Sequence, residues 1–256
     1  MKKMAALCMM LALLTGCSAS GGGEKTELVV FAAASLTETL TALGEQYMAE
    51  NGDVSIVFNF DSSGTLKTQI EEGAVCDVFL SAGQTQMDAL AGVYDADTRF
   101  DILENKIALV SASDAPAVST FDELAAALKS GDVLLAAGGA DVPVGQYTQK
   151  IFDYYALDTA ALDALGCVTY SSNVKEVTTQ VAESAVDYGI VYATDAFSAG
   201  LTVLDTAAAE VCGQVIYPAA ALKESANPDA ARAFLDFLAS DTADAVFEAV
   251  GFTPIG

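Results

Sequence analysis

Histidine and tryptophan are absent from all 256 residues, and basic side chains are scarce: 11 lysines and arginines stand against 35 aspartates and glutamates. Without an imidazole, any mechanism that needs a histidine base or a histidine metal ligand is excluded. The net charge of −24 argues against nucleic acid, whose phosphates require a basic footprint. It argues equally against adhesion by charge to an anionic membrane surface. The acids are spread along the chain and not gathered in a tail, which reads as a solvated surface. Cysteine is sparse as well, with five in the chain. Cys8 and Cys17 lie near the N-terminus; Cys76, Cys167 and Cys212 remain, an odd number without the spacing of a metal clip or a disulfide framework. They read as small core residues.

What is present begins with a targeting segment. Lys2 and Lys3, an apolar run over residues 4–14 and small residues after it have the layout of a secretory signal, and the run is short for a bilayer span. Leu14-Thr15-Gly16-Cys17 resembles the lipobox of bacterial lipoproteins. That resemblance implies a signal peptide over residues 1–16, lipidation of the Cys17 thiol, and a Ser- and Gly-rich flexible tether through residue 26. The alternative is an ordinary cleaved signal with an incidental cysteine.

From residue 28 onward the pattern alternates. An apolar run over 28–34 reads as a buried strand, and Leu36, Leu40 and Leu43 then recur at helical spacing. Strands over 54–60 and 77–81 follow, with helices over 63–72 and 84–90. This rhythm predicts right-handed crossovers and a parallel sheet covered on both faces. Ligands in such sheets lie at the carboxyl ends of the strands, where Ser35, Ser63 and Ser81 fall. A second block adds strands over 107–111, 133–137, 167–170 and 188–192, and helices over 121–128, 145–155 and 173–185. A return strand over 215–222 leads to two closing helices. A chain that builds one α/β lobe, crosses to a second and comes back suggests two lobes with a cleft between them: residues 27–106 and 216–256 in one, 107–215 in the other. Hinge motion is expected at the paired crossovers, 105–109 and 214–218.

Four segments share one physical design. Ser35 sits where a strand hands over to a helix; Ser62-Ser63-Gly64-Thr65, Pro143-Val144-Gly145 and Asn173-Val174 each open another. First-turn N–H groups lack intrahelical partners and carry the positive end of the helix dipole, so each start can seat an anion. Ser35 and Asn173 can equally act as plain helix caps. No Arg or Lys lies inside these turns; Lys67 and Lys175 follow on their helices. A fully deprotonated oxyanion only accepts hydrogen bonds and suits a pocket of donors alone, whereas a monoprotonated one needs an acceptor as well. Asp61 is the sole candidate acceptor, or a local turn residue facing solvent. Tyr192 ends an apolar strand, either as a core residue or as a phenol donor.

The stretches VFAAASLTE, NFDSSGTLKTQIEEGAVCDVFLSA, VPVGQY, SSNVKEV and DYGIVYATDA, in this order, resemble the molybdate-binding proteins of bacterial ABC importers. The resemblance runs from residue 28 to the end. It implies a two-lobed α/β fold of the type II periplasmic-binding-protein kind, each lobe a mostly parallel sheet flanked by helices, with two crossover strands at the hinge. It further implies an oxyanion held by the hydroxyls of Ser35 and Ser63, the backbone amides of Val144 and Val174, and the phenol of Tyr192. Asp61 and Cys76 depart from the pattern, each standing where a small residue is expected. The implied protein is a lipid-tethered, extracytoplasmic monomer that closes on molybdate or tungstate and passes it to a membrane permease, with no cofactor and no catalysis. The alternatives are a sulfate or phosphate receptor, a serine hydrolase, and a structural or adhesive lipoprotein. For the hydrolase, Ser35 or Ser63 lacks a histidine base, neither sits in a G-x-S-x-G elbow, and Lys67 stands one residue too far from Ser63 for an S-x-x-K pair.

Overall fold

The computed structural model describes residues 25–113 and 116–256; the expected signal segment, Cys17 and the tether through residue 24 lie outside them. In the first lobe, β1 (Thr26–Ala33) leads through a 3-10 turn (Ala34–Leu36) into α1 (Thr37–Glu50). β2 (Val54–Asp61), α2 (Ser63–Glu71), β3 (Val78–Leu80), α3 (Gln84–Ala89) and β4 (Phe100–Asn105) follow. The chain then crosses at Lys106. The second lobe contains β5 (Ile107–Ser111), α4 (Phe121–Ser130), β6 (Leu135–Gly138), α5 (Pro143–Tyr154), α6 (Thr159–Leu165), β7 (Val168–Ser171), α7 (Val174–Ala182), β8 (Tyr188–Tyr192), α8 (Ala193–Ala199), β9 (Thr202–Thr206) and α9 (Ala209–Cys212). β10 (Val215–Ala221) returns to the first sheet, and α10 (Pro228–Leu238), α11 (Asp241–Ala249) and β11 (Thr253–Pro254) complete it.

The two sheets run β11-β4-β10-β3-β1-β2 and β7-β6-β8-β5-β9. Strands joined through helices inside one lobe pair in parallel, as β1 does with β2 and β3, and β6 with β7 and β8. Strands that arrive from the other lobe enter antiparallel: β10 against β3 and β4, and β5 against β8 and β9. Both sheets are therefore mixed, where the helix–strand rhythm led us to expect mostly parallel ones. The crossover rule governs strands that return by a covering helix, and the two interlobe strands do not.

β1 shows why its sequence is apolar throughout. Leu28, Val30 and Ala32 belong to the main core, which α1 and α10 cover, while Phe31 packs on the opposite face with Leu66, Ile70 and Phe79. A strand covered on both sides has no polar face to alternate with. Its carboxyl end, and that of β6, point toward the other lobe, and there the helix starts gather. Among the described residues, no helix is long and apolar enough to cross a membrane. Cys76, Cys167 and Cys212 are buried free thiols; burial raises all three, Cys76 to about 12, so none is a ready nucleophile.

Candidate oxyanion site

A cavity of about 10 Å³ lies between the lobes, walled by Ala33, Ala34, Ser35, Ser62, Ser63 and Ala82 from the first and by Val142, Pro143, Val144, Val174 and Tyr192 from the second. All five residues expected to bind the ligand meet there. That space is about enough for one water molecule, so a tetrahedral oxyanion would enter only as the lobes part. No wall residue carries a charge.

Each donor has a local cause. Ser63 is the first residue of α2, whose cap is Ser62: the Ser62 hydroxyl accepts from the Thr65 amide at 3.1 Å. Ser63 is thereby free of capping duty, and its Oγ accepts the Ala82 N–H at 2.9 Å, which leaves its own proton for the cavity. Val144 is the second residue of α5, after Pro143, and this helix start has no side-chain cap. Val174 opens α7, where the Asn173 side chain takes the Glu176 amide at 3.1 Å. Among the described residues neither valine amide donates to another group. Gly145 lets α5 press onto the end of β6: a Cβ there would stand 2.0 Å from the Gly139 carbonyl oxygen and 2.4 Å from that of Gly138. Glycine is what brings the Val144 amide to the wall.

Ser35 differs from its cap reading. It lies within the 3-10 turn, and α1 starts two residues later with no side-chain cap. The Ser35 hydroxyl is instead 2.9 Å from the phenol of Tyr217 on β10. Tyr217 also receives the Asn105 side-chain amide at 3.3 Å, and that amide reaches Thr194 at 2.9 Å. Tyr192 is fully buried, with its ring edge-on to Tyr217 and Tyr147. Its hydroxyl donates to the Ala82 carbonyl at 3.3 Å, long for an O–H···O bond and open to exchange for a better acceptor. Burial holds the phenols of Tyr192 and Tyr217 far above their ordinary pKa, so both keep their protons as donors.

Asp61 turns back on its own chain: its carboxylate accepts the Ser62 N–H at 2.6 Å, and it is not part of the cavity wall. Ser81 likewise satisfies a local turn with Gly83. Lys67 pairs with Glu71 one helical turn along α2.

Charge gathers just outside the wall, where the sequence offered only a lysine beside Val174. The Lys175 ammonium bridges the lobes, 2.7 Å from Glu38 of α1 and 3.0 Å from Asp195 of α8. The Asp195 side chain is wholly buried, and its Oδ2 has no hydrogen-bond partner among the described residues. Burial raises that carboxyl from 3.8 to about 6, with Lys175 opposing the shift. Burial lowers Lys175 in turn, but Asp195 and Glu38 outweigh it and raise the ammonium's pKa. Tyr217, Asn105 and Asp195 escaped the sequence reading. Tyr217 lies inside the apolar strand β10 and Asn105 ends β4, and their partners lie more than a hundred residues away or in the other lobe.

The chain is similar to known proteins over most of its length. A Bacillus subtilis protein named as an ABC-transporter substrate-binding lipoprotein is 32% identical over 94% of this chain and 93% of its own. The Haemophilus influenzae molybdate-binding protein ModA is 33% identical over 89% of this chain and 90% of its own. The periplasmic molybdate-binding protein of Azotobacter vinelandii superposes with a TM-score of 0.78 at 23% identity, over 90% of this chain and all of that one, which shows the shared two-lobed fold. Residues 28–253 match the bacterial extracellular solute-binding proteins, and the chain belongs to that family.

Proposed function

We propose that this protein captures molybdate, and tungstate in the same manner, between its lobes and delivers it to the permease of an ABC importer. In this reading it works as a monomer outside the cytoplasm, held to the membrane by lipid on Cys17. The observation that carries the reading is the uncharged cavity. Ser35, Ser63, Val144, Val174 and Tyr192 line it together, drawn from both lobes, and each can donate. A tetrahedral dianion would meet N–H and O–H dipoles with the charge-assisted bonds that such acceptors form, and the helix starts would add their dipoles. The molybdate-binding names of relatives over most of the chain support the choice of ion.

Against a phosphate receptor, the one acidic candidate, Asp61, accepts the Ser62 N–H and stands outside the cavity wall, so it is not placed to accept a bound proton. Against a serine hydrolase, Lys67 is committed to Glu71 and Ser63 meets the Ala82 N–H, so neither serine has a base beside it. Isothermal titration of the purified protein with molybdate, tungstate, sulfate and phosphate tests the proposal. Tight binding of molybdate and tungstate is expected; tight sulfate binding with no molybdate heat would overturn it.

A further inference from the structure

We propose that Asn105 and Tyr217 are positioning residues that fix the direction of the Ser35 hydroxyl, so that the site donates only and rejects an anion carrying a proton. The inference rests on the oxyanion-receptor reading above. It starts from Asn105, whose Oδ1 accepts the Lys106 N–H at 2.8 Å. That bond settles which end of the amide is which, so the group facing Tyr217 is the NH₂, a donor without lone pairs to offer. Its two protons go to Thr194 at 2.9 Å and to the Tyr217 oxygen at 3.3 Å.

With Asn105 on its acceptor side, Tyr217 must place its own proton elsewhere. Tyr217 is completely buried, and a stranded buried donor is costly. Ser35 Oγ, 2.9 Å away and itself buried, takes that proton. A serine oxygen that accepts from Tyr217 turns its own proton outward, into the cavity it lines. Ser63 has the same polarity, imposed by the Ala82 N–H at 2.9 Å. Backbone amides can only donate, and the Tyr192 phenol keeps its proton. None of the five expected ligand groups is therefore left to accept from an O–H on the ligand. The chain Asn105 to Tyr217 to Ser35 begins at the crossover between the lobes and ends at the ion.

The test compares sulfate with hydrogen phosphate, tetrahedral dianions of similar size that differ by one proton, alongside molybdate. Asn105→Asp keeps the volume and the Lys106 bond but replaces the donor with an acceptor. Tyr217 then donates to residue 105, Ser35 donates to Tyr217, and the Ser35 oxygen faces the ligand as an acceptor. Tyr217→Phe keeps the edge-on ring contacts with Tyr192 and Phe252 and removes the constraint on Ser35. Calorimetry, with circular dichroism to confirm folding, is expected to show molybdate and sulfate weakened about tenfold or more in both variants. The ratio of phosphate to sulfate affinity should rise by about tenfold or more, most in Asn105→Asp. Equal weakening of all three anions, or no change in any, would overturn the inference and leave these residues structural. Absence of oxyanion binding in the unmodified protein would instead defeat the receptor reading itself.

Discussion

Gly64→Ala separates closure from folding more cleanly than any change to a ligand-facing side chain. Gly64 is the second residue of α2, within the helix, so alanine fits the backbone there and by helix propensity adds up to about 1 kcal/mol to the local helix. Across the cleft, however, its Cβ would stand 2.2 Å from the backbone carbonyl oxygen of Asp141. A carbon–oxygen contact needs roughly 1 Å more than that, since attraction between heavy atoms is found near 3.5 Å. The obstacle is backbone on both sides, so it is relieved by parting the lobes. Val144 lies three residues beyond Asp141, and its amide would withdraw from the first-lobe serines by a similar distance. A bond stretched by about 1 Å from 2.9 Å is no longer a hydrogen bond. Losing one charge-assisted bond costs about 1.5–3 kcal/mol, a rise in molybdate Kd of roughly 10- to 150-fold. Calorimetry gives the Kd, and thermal denaturation without ligand gives the stability. An unchanged Kd, or a fall in Tm that accounts for the loss, would refute the reasoning.

Glu38→Gln removes the first-lobe end of the cross-cleft ion pair; stability should change by less than about 1 kcal/mol, while stopped-flow release of molybdate becomes faster. Lys175→Met leaves the buried Asp195 carboxylate uncompensated, which should cost about 3–5 kcal/mol in urea denaturation, largely recovered by adding Asp195→Asn. Asp195 binds its proton more tightly in the folded protein, about 6 against 3.8, so its contribution to stability falls as pH rises through that window. Asp195→Asn should flatten this part of the pH–stability curve, as measured by the difference between the two proteins. Gly145→Ala drives a Cβ into the Gly138 and Gly139 carbonyls and should lower Tm by several degrees while abolishing binding.

The sequence makes the strand–helix alternation readable because β1 and its neighbours are apolar runs ended by small polar residues, and the helix starts carry Ser, Pro or Asn at their mouths. β8 falls on residues 188–192 as expected. The 3-10 turn around Ser35 was not readable: a three-residue turn before α1 leaves no trace in helical spacing. Nor was β9, an edge strand whose burial follows no clean alternation, nor the short helices α6 and α8. The antiparallel entry of β5 and β10 is a property of chain paths between lobes, which local periodicity does not encode. Within the site, the five expected residues could be carried over by resemblance. The group that orients Ser35 could not: Tyr217 is 182 residues away and sits in a strand that reads as ordinary core. Asp195 was hidden for a related reason, since its burial becomes visible only once α8 is folded against Lys175.

The central claim, that these five donors hold the ion, is tested most directly by a crystal structure of the protein grown with molybdate, with anomalous data collected at the molybdenum edge. The account predicts one dominant peak in the cavity, with oxygens in hydrogen-bond distance of the Ser35 and Ser63 hydroxyls, the Val144 and Val174 amides and the Tyr192 phenol. A dominant peak anywhere else, or none with molybdate in excess, would contradict it.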